Sequence, residues 1–220
     1  MTREQIKELW NKNGEFAASM GTKMHANIEN FYNGIQHETE SKEFELFSQF
    51  MEDHRDLEPY RTEWVVFDEN AKISGSIDMV FKDPVNRGKF IICDWKRSKE
   101  LKLKNPWQNG TSEFTRHLQD TNFVHYSLQL TIYKRILEKN YGIEISDCYI
   151  VVLHPSQETY IKKQILDLSE EVEHIFSSRE NEEKVHIENR IKENIIPKKR
   201  ERDCKPSDKC QFNMDIIKKY

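Results

Sequence analysis

The sequence predicts an α/β domain with a central mixed β-sheet flanked by helices, and three observations carry that expectation. Three short β-type runs follow one another between Arg61 and Lys96, joined only by brief polar turns, which is how an antiparallel meander reads. A helical run over about 123–139 separates them from two further β-type runs. Helical periodicity fills most of the chain before Arg61 and returns near the end. Helices, three strands, a helix and two more strands make a layered α/β arrangement.

Each element has its own signal. Residues 3–19 place Ile6, Leu9, Trp10 and Phe16 near helical spacing. Gly21-Thr22 is expected to break that helix, with Thr22 capping a second one over roughly 23–33 that stops at Asn33-Gly34. A charged helix over about 40–55 carries Phe44, Phe47, Phe50 and Met51 on one side. Arg61–Phe67, Ile73–Lys82 and Phe90–Lys96 read as strands, with DENAK and DPVNRGK as turns. Residues 99–121 form a polar connection far longer than usual, which marks it as functional or mobile. The helix after it closes at Asn140-Tyr141-Gly142, strands follow at Cys148–Leu153 and Thr159–Ile165, and residues 169–195 read as a highly charged helix. No internal repeat is present.

Bulk properties narrow the function. A chain of 220 residues suffices for one full domain, read here as residues 1–196 with a basic, then mixed tail over 197–220. Charged residues at 33% imply a wet surface, while aromatics at 11% argue against a disordered chain. No apolar run reaches the length of a bilayer span, so no membrane partner is expected. The first fifteen residues lack the apolar stretch of a secretory signal, and Glu4, Glu8 and Glu15 argue against a transit peptide. Cys93 and Cys148 sit in apolar runs as small core residues, whereas Cys204 and Cys210 lie in the polar tail without the four donors of a zinc site. Reduced thiols in an intracellular setting, cytoplasm or nucleus, are the expectation. A net charge of -4 leaves no global basic field, so any nucleic-acid contact rests on local patches.

The third strand reads FIICDWKRS, which puts Asp94 and Lys96 on one face and Cys93 and Trp95 on the other. The strand before it, ISGSIDMVF, carries Asp78 where core is expected. A carboxylate there is costly unless paired or holding a cation. Adjacent strands can bring Asp78 and Asp94 together, and a divalent ion relieves their repulsion. Lys96 beside them suits the balancing of charge and the orientation of an attacking water in phosphodiester hydrolysis. Alone, Asp-x-Lys equally describes an ordinary ion pair on a solvated strand face.

Two further features bear on the choice. His25, within GTKMHANIENFYNG, lies in the first turn of the expected second helix, beside a stripe of Met24, Ile28 and Phe31. Neutral imidazole there is either a structural side chain or a partner for manganese. In HYSLQLTIYKRIL, His125, Gln129 and Tyr133 share roughly one helix face beside the stripe Leu128, Ile132 and Ile136. A packed Gln needs hydrogen-bond partners, and a phosphate or a water would serve as well as a neighbour.

The ordered set GTKMH, Glu63 in a strand, GSID, DWK and Gln-xxx-Tyr resembles the RecB-type branch of the PD-(D/E)xK nucleases over roughly residues 10–165. The resemblance implies a restriction-endonuclease-like core, Mg2+ or Mn2+ as cofactor, and Asp78, Asp94 and His25 as metal ligands. It also implies the main-chain carbonyl of Trp95 as a further ligand and Lys96 as the catalytic lysine. Gln129 and Tyr133 would orient substrate or site, and Glu63 would support it. Ile77 stands where the superfamily's name has Pro, and Asp94 replaces Glu, both tolerated in this branch. Some relatives hold an iron-sulfur cluster on one cysteine before the core and three after it. This chain has no cysteine before Cys93, so no cluster is expected. Comparable short stand-alone members are encoded by large DNA viruses and phages.

Lys96, Arg97, Lys99, Lys102 and Lys104 crowd the end of the third strand, with Trp107, Phe114, Arg116 and His117 following. Charges that track phosphates and rings that stack on bases suit a single-stranded or frayed DNA end, with Arg97, Lys99, Lys102, Lys104, Trp107 and Arg116 as contacts. A solvated lysine-rich loop is the plainer description. Lys198, Lys199, Arg200 and Arg202 form a second basic run. The resulting expectation is a metal-dependent DNA nuclease acting at ends in replication, repair or recombination. Its rivals are a cap-snatching-like RNA endonuclease, an inactive nucleic-acid-binding member and a small-molecule metal hydrolase.

Overall fold

The structure, a computed structural model, describes residues 1–192 and contains four helices and five strands among them. In chain order these are α1 (Arg3–Tyr32), α2 (Lys42–Asp53), β1 (Glu58–Asp68), β2 (Ile73–Lys82), β3 (Phe90–Lys96), α3 (Asn122–Asn140), β4 (Ile145–Val152), β5 (Ile161–Gln164) and α4 (Ser169–Lys192). The strands form one sheet in sequence order. β1, β2 and β3 make the antiparallel meander, β3 pairs parallel with β4, and β5 returns antiparallel. The parallel step needs a crossover, and α3 supplies it. The sheet is therefore mixed. The expected tail, with Cys204, Cys210 and its basic run, lies outside the described residues.

Both faces of the sheet are covered. α3 and α4 pack Phe123, Leu130, Ile136, Leu137, Val172 and Phe176 against Val66, Ile77, Ile92 and Ile150. α2 and the last third of α1 pack Phe44, Phe47, Phe50, Met24 and Ile28 against the opposite face. β3 is apolar on both sides for this reason. Phe47 and Phe50 meet Trp95 edge-on, with ring centroids 5.4 and 5.3 Å away. Each fully buried ring contributes about 1.5–3 kcal/mol through apolar area alone.

The break expected at Gly21-Thr22 does not occur. α1 is one helix of 30 residues, about 45 Å long. Thr22 does not cap a second helix; its Oγ1 donates to the carbonyl of Ala18 one turn back, at 3.1 Å. A glycine inside a helix costs roughly 1 kcal/mol against alanine, too little to end a helix that is long on both sides and seated by Met24 and Ile28. The helix ends where Asn33-Gly34 predicts. Gly34 adopts φ 67°, Ile35 N–H reaches Asn30 O at 2.8 Å and Gly34 N–H reaches Phe31 O at 3.1 Å, a Schellman cap. Leu9, Trp10 and Phe16 remain exposed.

Candidate active site

The ladder between β2 and β3 runs from Lys82–Phe90 to Met79–Cys93 and goes no further. The strands part at the next residue, Asp78. Its carboxylate fills the gap: Oδ2 accepts the Trp95 main-chain N–H at 2.8 Å. On the other side, β1 brings Glu63 opposite Asp78, between the pairs Thr62–Met79 and Trp64–Ile77. Glu63 holds φ 44° inside a strand, a left-handed conformation that costs a side-chain-bearing residue roughly 1–2 kcal/mol. Thr62 Oγ1 donates to the main-chain oxygen of Asp78 at 3.0 Å, fixing that crossing.

α1 delivers His25 to the same place. Met24 and Ile28 are buried and seat the helix, which leaves His25 at the edge of the contact. Its Nδ1 lies 3.4 Å from Asp78 Oδ2 and 4.0 Å from Glu63 Oε1. One donor atom each from His25, Glu63 and Asp78 fall within 4.8 Å of one another. Ser76 Oγ donates to Glu63 Oε2 at 3.0 Å and orients that carboxylate.

β3 contributes Asp94 and Lys96 from its α3-facing side, with Cys93 and Trp95 turned into the α2-facing core. Asp94 is 2% exposed. Its Oδ2 faces Lys96 Nζ at 2.5 Å as an ion pair, off the line of a regular hydrogen bond. Lys96 Nζ also donates to Gln129 Oε1 at 3.4 Å and sits 4.9 Å over the Tyr126 ring. Gln129 Nε2 in turn donates to Tyr133 OH at 3.0 Å. His125, one turn before Gln129, instead pairs with Asp120 at 2.7 Å.

The charges do not balance without help. Burial raises the Asp94 carboxyl, the Asp78 charge raises it further, and Lys96 only partly opposes them, so it is pushed up to about 7. Burial and the Asp78 charge likewise raise Glu63. Burial opposes charge on His25, but its contact with Asp78 and the charge of Asp94 outweigh that, and its pKa rises. Burial also opposes the Lys96 ammonium, yet Asp94 and Asp78 hold it charged. The carboxylates of Glu63, Asp78 and Asp94 and one imidazole, gathered beside a single lysine, are a donor set suited to a hard divalent cation such as Mg2+ or Mn2+. Asp94 lies beside the tightest group, while Glu63 lies within it.

The connection after β3 is knit rather than loose. Asn122 at the start of α3 bonds Glu100 O and Lys102 N, and Asn105 is held by Gln119 and Asp120. Phe114 stacks on His174 of α4, with centroids 5.5 Å apart, and His117 pairs with Glu171 at 2.8 Å. From this frame Lys99, Lys102, Lys104 and Arg116 project into solvent, and Trp107 is 93% exposed. An open groove of about 640 Å³ runs along Lys102, Leu103, Lys104 and Trp107. Arg97 stands apart: its Nε is tied to Glu43 of α2 at 2.7 Å, and both side chains are nearly buried. The sequence reading passed over Glu43 and Tyr126, and it quoted Gly75 and Ser76 within GSID without giving them a role. Tyr126 had a legible signal, three residues before Gln129 on the same helix face.

Among solved structures, the chain is similar to a "Putative exonuclease" from Eubacterium rectale at 13% identity and a TM-score of 0.46, over 80% of this chain and 68% of that one. Curated proteins return no match. No helix among the described residues is long and apolar enough to cross a membrane. A profile of the PD-(D/E)XK nuclease superfamily matches residues 2–214, nearly the whole chain, in agreement with a sheet that parts around Asp78, Asp94 and Lys96. The chain belongs to the PD-(D/E)XK nuclease superfamily and has its restriction-endonuclease-like α/β fold.

Proposed function

We propose that this chain is a divalent-metal-dependent DNA nuclease of the RecB type, carried by residues 1–196 and acting at DNA ends in replication, repair or recombination. The observation that carries the proposal is the convergence of His25, Glu63, Asp78, Asp94 and Lys96 where β2 and β3 part. His25, Asp78 and Asp94 would hold Mg2+ or Mn2+, with the Trp95 carbonyl as a further donor and Glu63 close enough to join them. A bound Mg2+ or Mn2+ supplies Lewis-acid polarisation of the scissile phosphate and lowers the pKa of a water at that point.

The chain's own groups do the rest. Lys96 stays charged and stands beside Asp94, where it orients the attacking water and offsets charge building on the phosphate. Gln129 holds Lys96 from the α3 side, and Tyr133 holds Gln129. Exposed Lys99, Lys102, Lys104 and Arg116 are available to phosphates and exposed Trp107 to an unpaired base, and this exposure beside an open groove supports a single-stranded or frayed end as substrate. Arg97, nearly buried and tied to Glu43, braces the end of β3 against α2 and is not free to meet a phosphate. The buried free thiols Cys93 and Cys148 suit an intracellular location.

The test is digestion of end-labelled single-stranded DNA, duplex DNA and RNA in parallel, with Mg2+, with Mn2+ and with EDTA. The proposal expects DNA to be shortened from its ends, only with metal, and not by the double variant Asp94→Ala, Lys96→Ala. Cleavage of RNA alone, or undiminished cleavage by that variant, would reject it.

A further inference from the structure

Gly75 opens the GSID segment, and its backbone gives no reason for a glycine. The glycines with left-handed φ among the described residues are Gly34, Gly88 and Gly142, all in caps or turns. Gly75 sits in ordinary strand conformation, paired with Val66 of β1. In that setting glycine is the poor choice, weaker than alanine by roughly 0.5–1 kcal/mol. The space around it supplies the reason. A β-carbon built at Gly75 would lie 2.4 Å from Cε1, 2.6 Å from the hydroxyl and 2.8 Å from Cζ of Tyr133. The Tyr133 ring occupies the place of the missing side chain.

Tyr133 is 8% exposed and anchors a polar chain. The direction of that chain is set by chemistry. Lys96 has donors only, so Gln129 must present its oxygen to it, at 3.4 Å. The Gln129 amide NH2 is then left for Tyr133 OH, at 3.0 Å. Lys96 closes the chain on Asp94. The height of the tyrosine hydroxyl over the sheet therefore sets where the Gln129 amide stands, and the amide sets where the Lys96 ammonium stands.

We infer that Gly75 is a positioning residue for Lys96, acting through Tyr133 and Gln129 without touching substrate; the inference rests on the nuclease reading above. The GSID segment then serves the site three ways: Gly75 admits Tyr133, Ser76 orients Glu63, and Asp78 receives His25 and Trp95. A single added methyl at Gly75 displaces the ring, and the displacement travels to the reacting end as a misplaced ammonium.

The experiment is a double-mutant cycle over Gly75→Ala and Tyr133→Ala, reading steady-state cleavage of a labelled single-stranded oligonucleotide with Mg2+ over a range of substrate concentrations and, separately, the melting temperature of the metal-free protein. Gly75→Ala alone is expected to lower kcat about 10- to 100-fold, the scale of a displacement near 1 Å, with KM changed less than about twofold. It is also expected to lower the melting temperature. In the Tyr133→Ala background, where the ring is gone, Gly75→Ala should lower neither quantity further. Should Gly75→Ala fail to fold, recovery of a folded protein by adding Tyr133→Ala supports the inference, and no recovery overturns it. An equal fall in both backgrounds, a fall confined to KM, or no fall at all also overturns it. A wild-type protein that cleaves nothing overturns the nuclease reading and the catalytic half of the inference; the melting cycle then judges the Gly75–Tyr133 contact by itself.

Discussion

Asp78 Oδ2 accepts the main-chain N–H of Trp95 at 2.8 Å, at the first position beyond the end of the β2–β3 ladder. The same oxygen lies 3.4 Å from His25 Nδ1. One carboxylate thus closes the backbone of a splayed sheet and forms part of the donor group. Structure and chemistry at Asp78 are separable by substitution.

Asp78→Asn keeps an oxygen for Trp95 and loses the charge. It should melt close to wild type while cleavage falls by about 10²–10³-fold or more, the scale of losing a preorganised electrostatic group. Asp78→Ala should lose activity equally and also cost about 1–3 kcal/mol, because it leaves the buried Trp95 N–H without a partner. Denaturant unfolding of the two variants beside their cleavage rates checks this; equal destabilisation by both would contradict it.

Stability of the metal-free protein should depend on pH with a definite sign. Asp94, raised to about 7, and Glu63, also raised, bind protons in the folded state that the unfolded chain has already released. His25, raised from its ordinary value, acts in the same direction at higher pH. Each contributes stability that is lost as pH rises; His154, lowered by burial, opposes them as one group against three, so the melting temperature should fall between about pH 5 and 8. Asp68 and Asp167, held low by their hydrogen bonds despite burial at Asp68, have completed their ionisation below that window and leave its slope alone. Millimolar Mg2+ or Mn2+ should flatten the fall. A melting temperature that climbs with pH in EDTA would be incompatible with this electrostatic picture.

The basic residues after β3 should divide into two kinds. Arg97→Ala breaks a nearly buried pair with Glu43 and should cost about 3–5 kcal/mol of stability. Lys102→Ala and Lys104→Ala, both on the exposed groove, should leave stability alone. Each should instead weaken binding of a single-stranded oligonucleotide and reduce the slope of log K against log salt by roughly 0.7. Salt titrations of binding with Ca2+ replacing Mg2+ would reveal an unchanged slope if these lysines stay off the substrate.

Local chemistry made the strands readable. The bounds of β2 and β3 follow from their β-type composition and from the polar turns that flank them. The Asp94–Lys96 side of β3 follows from a period of two. The same local reading misjudged Gly21, because what holds α1 together across it is tertiary packing at Met24 and Ile28. The pairing of Arg97 with Glu43 spans 54 residues of sequence, and the fit of Tyr133 against Gly75 joins two elements. No window of sequence contains either. Glu63, which the resemblance implied as a support of the site, stands within the group of His25 and Asp78 on a left-handed backbone that nothing in its neighbours announces.

The most direct measurement is anomalous diffraction from crystals soaked in Mn2+. The account predicts one ion bound by Asp78 and Asp94 at roughly 2.0–2.3 Å, with His25 or Glu63 in its shell and Lys96 close by. Crystals that take up manganese elsewhere, or that leave these carboxylates without it at saturating concentration, would contradict the account.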